Sequence, residues 1–202
     1  MKVNKGQGWG FAAPLPSDGL IIRTNKDLID QITSYKRDGK SLPVFGLLGG
    51  DLWRTLGGRH DESRLYRDDA TTVDVDLGCV LLDGKIYWFC AHMLIGSKYF
   101  GNRVFISNAA HYGKNNPTPK AHPGDGKFDI LETELSAVQT IKAIKRLSAG
   151  THIPHPEIKY ERVESKQLSF DQKMRVEIDG QKLGKFKNVL LRIENQGLRV
   201  VV

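Results

Sequence analysis

The chain has little cysteine and no long apolar run, and both shortages narrow what it can be. Cys79 and Cys90 are the only two cysteines among 202 residues. They fall on what read as adjacent strands joined by a turn at Asp83-Gly84, a register that sets Cys79 opposite Trp88 and Cys90 opposite Leu77. A disulfide is therefore not expected, and a reducing cytoplasm is the simpler setting. No uninterrupted apolar stretch approaches the roughly 20 residues that a membrane span requires, and no secretory signal is visible. There is no repeat at solenoid spacing and no low-complexity tract. His92, His111, His122, His152 and His155 have none of the short helical spacings of a zinc site. Basic runs with interleaved stacking aromatics are missing too, which argues against a nucleic-acid partner.

What the chain does have is positive charge. The net charge of +7 favours an anionic partner, whether the phosphates of a nucleotide, an acidic membrane surface or, least, nucleic acid; a solubilising charge excess is the alternative. Its length allows a buried core in one domain or in two small lobes.

Local patterns suggest two lobes. Gly8–Pro14 and Leu20–Arg23 read as short strands. Thr24 followed by Asp27 has capping-box-like spacing, and Leu28, Ile29 and Ile32 form an apolar stripe that ends before Asp38-Gly39, so a helix is expected between them. Pro43–Leu48 reads as a buried strand feeding Gly49-Gly50, and Leu52, Trp53 and Leu56 suggest a short helix stopped by Gly57-Gly58. From Ala70 the pattern turns to strands. Thr72–Leu82 and Lys85–Ile95 flank the Asp83-Gly84 turn, and both are apolar on both faces, which predicts a covered, central place in a sheet. Arg103–Ala109 makes a further strand and Gly113–Gly124 a loop. A helix is expected from Ser136, with Val138, Ile141, Ile144 and Leu147 inward and Gly150 past its end. The rest, to Val202, alternates short strands around an Asp179-Gly180 turn. The fold class expected is α/β plus mainly β: a truncated α/β lobe over residues 1–69, then a β-sandwich lobe with one helix over residues 70–202.

Three segments recur in a telling order: His122-Pro-Gly-Asp-Gly126, Gly150-Thr-His-Ile-Pro-His-Pro156 and Glu177-Ile-Asp-Gly-Gln181. Upstream stand Ser17-Asp18-Gly19-Leu20 and Gly49-Gly50-Asp51-Leu52-Trp53-Arg54-Thr55-Leu56-Gly57. In order and spacing these resemble the diacylglycerol kinase-like lipid kinases, within the superfamily that also holds the NAD kinases. That family has a Gly-Gly-Asp-Gly-Thr turn, a Gly-Thr-Gly-Asn-Asp-x-x-Arg-x-Leu-Gly segment, an Asp-Gly loop, a Gly-x-His-x-x-x-Pro turn and an Asp-Gly-Glu hairpin.

The resemblance implies ATP and Mg²⁺ as cofactors and a lipid hydroxyl as acceptor, with the reaction in a cleft between the two lobes. Phosphoryl transfer needs positioning, charge neutralisation and a carboxylate to take the hydroxyl proton. Asp18 and Gly19, with Gly49, Gly50 and Asp51, would then cradle phosphate, because glycine lets backbone N–H groups approach oxygens closely. On turn chemistry alone each pair reads simply as a turn. Asp76, in Val73-Asp74-Val75-Asp76-Leu77-Gly78, matches an acid implicated in catalysis. Period-two alternation puts it on one face with Asp74 and Val80, near Phe89 and Ala91 across the hairpin. A carboxylate on an apolar strand needs a cleft or hydrogen-bonding partners, and both readings stand. Asp125 matches an acid that helps to hold a structural Mg²⁺, with a turn cap as the alternative.

The sequence departs from the family where catalysis is most sensitive. Gln181 takes the place of the glutamate in Asp-Gly-Glu, and an amide cannot act as a general base. Leu47 and Leu48 replace a glycine and a threonine ahead of Gly49. Only about sixteen residues precede Ser17, where relatives carry a further α/β stretch, so a halved nucleotide lobe is expected. The partners implied are a lipid or small-molecule substrate, peripheral contact with an anionic membrane, and no nucleic acid. A catalytically inactive binding module is the alternative function, and association with another copy or with a subunit supplying the nucleotide segment is left open.

Overall fold

The computed structural model describes residues 9–97, 102–133 and 158–202. In chain order the elements are β1 (Phe11–Ala12), β2 (Leu20–Ile22), α1 (Asn25–Arg37), β3 (Phe45–Leu47), α2 (Gly50–Thr55) and a 3₁₀ turn at Glu62–Tyr66. The strands β4 (Thr71–Leu82), β5 (Lys85–Phe89), β6 (His92–Gly96), β7 (Arg103–Ser107), β8 (Phe128–Thr133), β9 (Ile158–Val163), β10 (Ser165–Ile178) and β11 (Gln181–Val201) follow. Among the described residues the fold is mainly β, with its two α-helices confined to the first part of the chain.

α1 starts and ends where its chemistry dictates. The Thr24 hydroxyl accepts the Asp27 N–H at 3.1 Å, Asp27 lies in the first turn, and Lys36 and Arg37 lie in the last, each sign facing the favourable end of the helix dipole. Leu28, Ile29 and Ile32 are buried. They pack with Phe45, Leu47, Leu52, Val73, Val75 and Val200 into one core beneath the helices.

β11 organises the sheet. It pairs antiparallel with β10 on one side and β4 on the other, and its end adds a parallel pairing to β3 at Val200↔Phe45; β3 in turn pairs parallel with β2. The remaining path runs β10, β6, β7, β8, β9. A second core lies inside this strand-rich part, where Val80, Leu82, Phe89, Met93, Ile106, Phe128, Val176 and Leu191 meet. On β4, Val73, Val75 and Leu77 serve the first core, whereas Val80 and Leu82 serve the second. Opposite-face alternation lets one strand supply both.

Several expectations change. The strand foreseen over Lys85–Ile95 is two: the ladder with β4 ends at Gly78↔Phe89, so Cys90 never reaches Leu77, and the chain re-pairs as β6 with β7 and β10. Both cysteines are free and buried. β5 is not central. It pairs with β4 alone, and Ile86 is 50% exposed. β8 forms in the stretch between the expected loop and the expected helix, where no element was foreseen, because its apolar run is short and follows a Gly-rich turn. The strands near the C-terminus, expected to be short, are 14 and 21 residues long in β10 and β11; shifts of register within them hide their continuity from a periodicity count. The helix expected from Ser136 and the Gly150–Pro156 turn lie outside the described residues.

Candidate functional site

At the carboxyl ends of the parallel strands β2 and β3, two turns press together. A Cβ on Gly49 would lie 2.2 Å from the Arg23 carbonyl oxygen, and one on Gly50, whose φ is +94°, would lie 2.3 Å from Asn25 Oδ1. Only glycine allows that approach at Gly50, where the backbone is left-handed as well. Asn25 and Asp51 then lock the turns reciprocally. Asn25 Oδ1 accepts the Asp51 N–H at 2.8 Å, and Asn25 Nδ2 donates to Asp51 Oδ2 at 2.8 Å. The other Asp51 oxygen accepts the Gly113 N–H at 2.7 Å, which ties the loop after β7 to the same point. The Asp51 side chain keeps 16% of its surface exposed.

His92, at the start of β6, faces this carboxylate. Its Nδ1 is 3.6 Å from Asp51 Oδ2, and its Nε2 lies 3.1 Å from the Ala109 carbonyl oxygen. A carbonyl can only accept, so Nε2 carries the proton and Nδ1 the lone pair. Burial pushes the ring's pKa down to about 4, against the pull of Asp51, and keeps it neutral. Phe105 stacks on the ring and Tyr112 meets it edge-on.

Asp179 sets the position of His92. Its carboxylate accepts the N–H groups of Cys90, Ala91 and His92 at 2.7, 3.0 and 2.8 Å, satisfying the backbone where β5 breaks from β6. Burial drives its pKa up to about 6, opposed by those N–H donors. The sequence shows Asp179-Gly180 only as a hairpin turn. The turn is present, with φ of +46° at Asp179, but the side chain reaches inward across the sheet.

Gln181 follows on the same turn. Its Nε2 donates to Asp30 Oδ1 of α1 at 2.8 Å, and Lys26 Nζ bonds the other oxygen of Asp30. Beside this pair opens a cavity of about 210 Å³ walled by Ile29, Trp88, Ile178 and Leu183.

Asp76 and Asp125 lie in a neighbouring cluster. β11 places three residues, 195–197, against the single position 76 of β4, and Asp76 Oδ1 accepts the Gln196 N–H at 2.9 Å inside that bulge. Its other oxygen accepts the Gly126 N–H at 2.7 Å. Desolvation raises the Asp76 pKa and the two N–H donors pull it back. Asp74, on the same face, is held instead by both nitrogens of the Arg199 fork. Asp125 is bound to the Arg162 guanidinium, which also reaches the buried Asp129 at 3.2 Å, and Asp125 Oδ1 caps the Lys127 N–H. A fixed cation thus already stands where the sequence suggested Mg²⁺, and among the described residues no three His, Cys, Asp or Glu side chains gather as a ligand set. Asp125 here is an ion-paired turn cap. Asn108 links the two clusters, donating through Nδ2 to the carbonyls of Asp76 and Cys90 at 2.7 and 3.0 Å.

Asp18 and Gly19 stand apart from all of this. They precede β2, at the opposite end of the parallel pair from Gly49-Gly50, roughly 13 Å away along the strand. The segment that does face Gly49-Gly50 is Arg23-Thr24-Asn25. It carries no glycine, and the helix-capping threonine was its one visible signal.

The sequence pattern of the YegS C-terminal NAD kinase beta sandwich-like domain matches residues 72–202, more than half of the chain. The chain belongs to that family. The match opens with β4 and takes in every later strand. None of the curated proteins matches by sequence. Among solved structures, one designated a diacylglycerol kinase from Bacillus anthracis str. Sterne superposes with a TM-score of 0.72 at 14% identity, over 91% of this chain and 77% of that one. A second from the same strain gives 0.60 at 15% identity, covering 79% and 66%, and a third gives 0.65 at 12%, covering 91% and 78%. At such identities the likeness is one of fold. Together with the family match it bears out the β-sandwich expected for the second part of the chain.

Proposed function

We propose that the protein is a lipid kinase of the diacylglycerol kinase type, moving the terminal phosphoryl group of ATP, with a divalent cation, onto a lipid hydroxyl. The observation that carries this reading is Asp51. It is a partly exposed carboxylate fixed by Asn25 and Gly113 on a glycine turn at the carboxyl ends of two parallel strands, the edge at which α/β sheets bind phosphate-bearing ligands. In this reading residues 1–69 form the nucleotide-side lobe and residues 70–202 the acceptor-side lobe. Gly49, Gly50 and Asp51 meet the phosphates, and the cavity beside Gln181 and Asp30 receives the hydroxyl end of the lipid. Asp76 acts at one remove, as the group that orders the bulge of β11 and the Gly124–Gly126 turn. Nucleotide phosphates would bring the cation with them, so the metal need not be held at Asp125.

A second reading, binding without phosphoryl transfer, is favoured by Gln181 and by the saturation of Asp76. An amide stands at the place of the base, and both oxygens of Asp76 already accept backbone N–H groups. Incubation with ATP, Mg²⁺ and diacylglycerol in mixed micelles separates the two. Phosphatidic acid formed by the wild type and lost in Asp51→Asn supports transfer. Calorimetric binding of lipid with no turnover supports the module, and neither binding nor turnover rejects both.

A further inference from the structure

His92 and Asp51 present an arrangement that hydrogen bonding within the chain does not explain. The imidazole is 3% exposed, and its Nδ1 is a buried polar atom with no hydrogen-bond partner. A lone pair therefore points at a carboxylate oxygen 3.6 Å away, two acceptors with no donor between them. A buried acceptor left unsatisfied is costly, and placing it against a negative charge makes it more so. A positive ion between the two would remove both penalties.

The surroundings are those of a ligand pair. A metal-binding imidazole characteristically donates its other N–H to a carbonyl or carboxylate, and His92 Nε2 does so to Ala109. A ligating carboxylate is itself usually hydrogen-bonded, and Asp51 accepts from Gly113 and Asn25. An ion roughly 2.1 Å from each atom would see the 3.6 Å separation at an angle of about 120°, within the range of tetrahedral and relaxed geometries. The three N–H bonds from the break in the sheet to Asp179 hold His92 rigidly in place.

We propose that His92 Nδ1 and Asp51 Oδ2 together bind one first-row divalent cation, leaving its remaining positions to water or to phosphate oxygens. One nitrogen and one oxygen ligand suit Mn²⁺ or Zn²⁺ better than Mg²⁺, which prefers oxygen alone. The site does not depend on phosphoryl transfer and exists equally in a binding module.

Titration of the ¹⁵N-labelled full chain with Mn²⁺ tests it, read by paramagnetic broadening. The expected result is saturable, one-to-one binding in which the Gly113 amide and the His92 ring broaden first. Zn²⁺ competes for the same site. Asn25→Ala weakens binding about 10–100-fold through loss of the supporting bond, and His92→Gln and Asp51→Asn weaken it at least that much. Broadening centred on exposed acids elsewhere, the absence of saturation, or unchanged affinity in folded His92→Gln would each overturn the proposal. Should the buried substitutions unfold the chain, the wild-type broadening map decides alone.

Discussion

Asp179→Ala is expected to be among the most damaging single substitutions in this protein, although the residue lies in a hairpin turn. Its carboxylate takes three backbone N–H groups at the β5–β6 break, a place with no strand partner to replace it. Alanine leaves those donors buried and unpaired at about 1–3 kcal/mol each, a loss of roughly 3–9 kcal/mol that partial relaxation would reduce. Against a typical total of about 5–15 kcal/mol, the upper half of that range means no stable fold. Asp179→Asn keeps one acceptor oxygen and should lose about 1–3 kcal/mol. The carboxyl also leaves a signature in pH. Its pKa in the folded protein is about 6, above the ordinary 3.8, so between those values the folded state binds the proton and the unfolded chain does not. Stability from this group is therefore greatest below about pH 4, falls as pH rises to about 6, and is level beyond, a change of roughly 3 kcal/mol. Urea unfolding of wild type and Asp179→Asn at pH 4.5 to 7.5 measures the difference between the two slopes. An Ala variant within about 1 kcal/mol of wild type, or an Asn variant with the wild-type slope, would refute the role given to Asp179.

Other substitutions probe the remaining parts. Gln181→Glu restores a carboxylate and sets it against Asp30, which raises the basicity of one of the two; turnover of diacylglycerol should rise about 10²-fold or more, and no rise favours the binding module. Asp76→Asn turns an amide N–H₂ toward one of two backbone donors and should lower stability by about 1–3 kcal/mol, with hydrogen exchange accelerating first at Gly126 and Gln196. Arg162→Met removes the cation shared by Asp125 and Asp129. Because the guanidinium is about a third exposed, the loss should be about 2–4 kcal/mol, somewhat below that of a fully buried pair, and NMR should find the Asp129 pKa displaced upward from about 6.

Much of the scaffold was legible because its signals are local. Thr24 and Asp27 mark the start of α1, Leu28, Ile29 and Ile32 its buried face, and Asp83-Gly84 a hairpin whose register pairs Cys79 with Trp88. The break at Cys90-Ala91 was not legible, because what permits it is a carboxylate 89 residues away in sequence. Bulges misled in the same way. The three residues opposite Asp76 interrupt the alternation of β11, so a long strand reads as short ones.

The candidate site was half legible. Glycine spacing drew attention to Gly49, Gly50 and Asp51, which the fold does assemble into one turn with Asn25. Asp18-Gly19 drew the same attention by composition alone and lies at the other end of the strands. His92 gave no signal, since a lone histidine on an apolar strand looks like any core residue until Asp51 is seen beside it.

The account rests on Asp51 facing phosphate at the glycine turn. Transfer of labelled phosphate from [γ-³²P]ATP to diacylglycerol, compared between wild type and folded Asp51→Asn, tests that most directly. The account predicts labelled phosphatidic acid from the wild type, reduced by at least about tenfold in the variant. Equal labelling by both proteins, or none from wild type and Gln181→Glu alike, would contradict it.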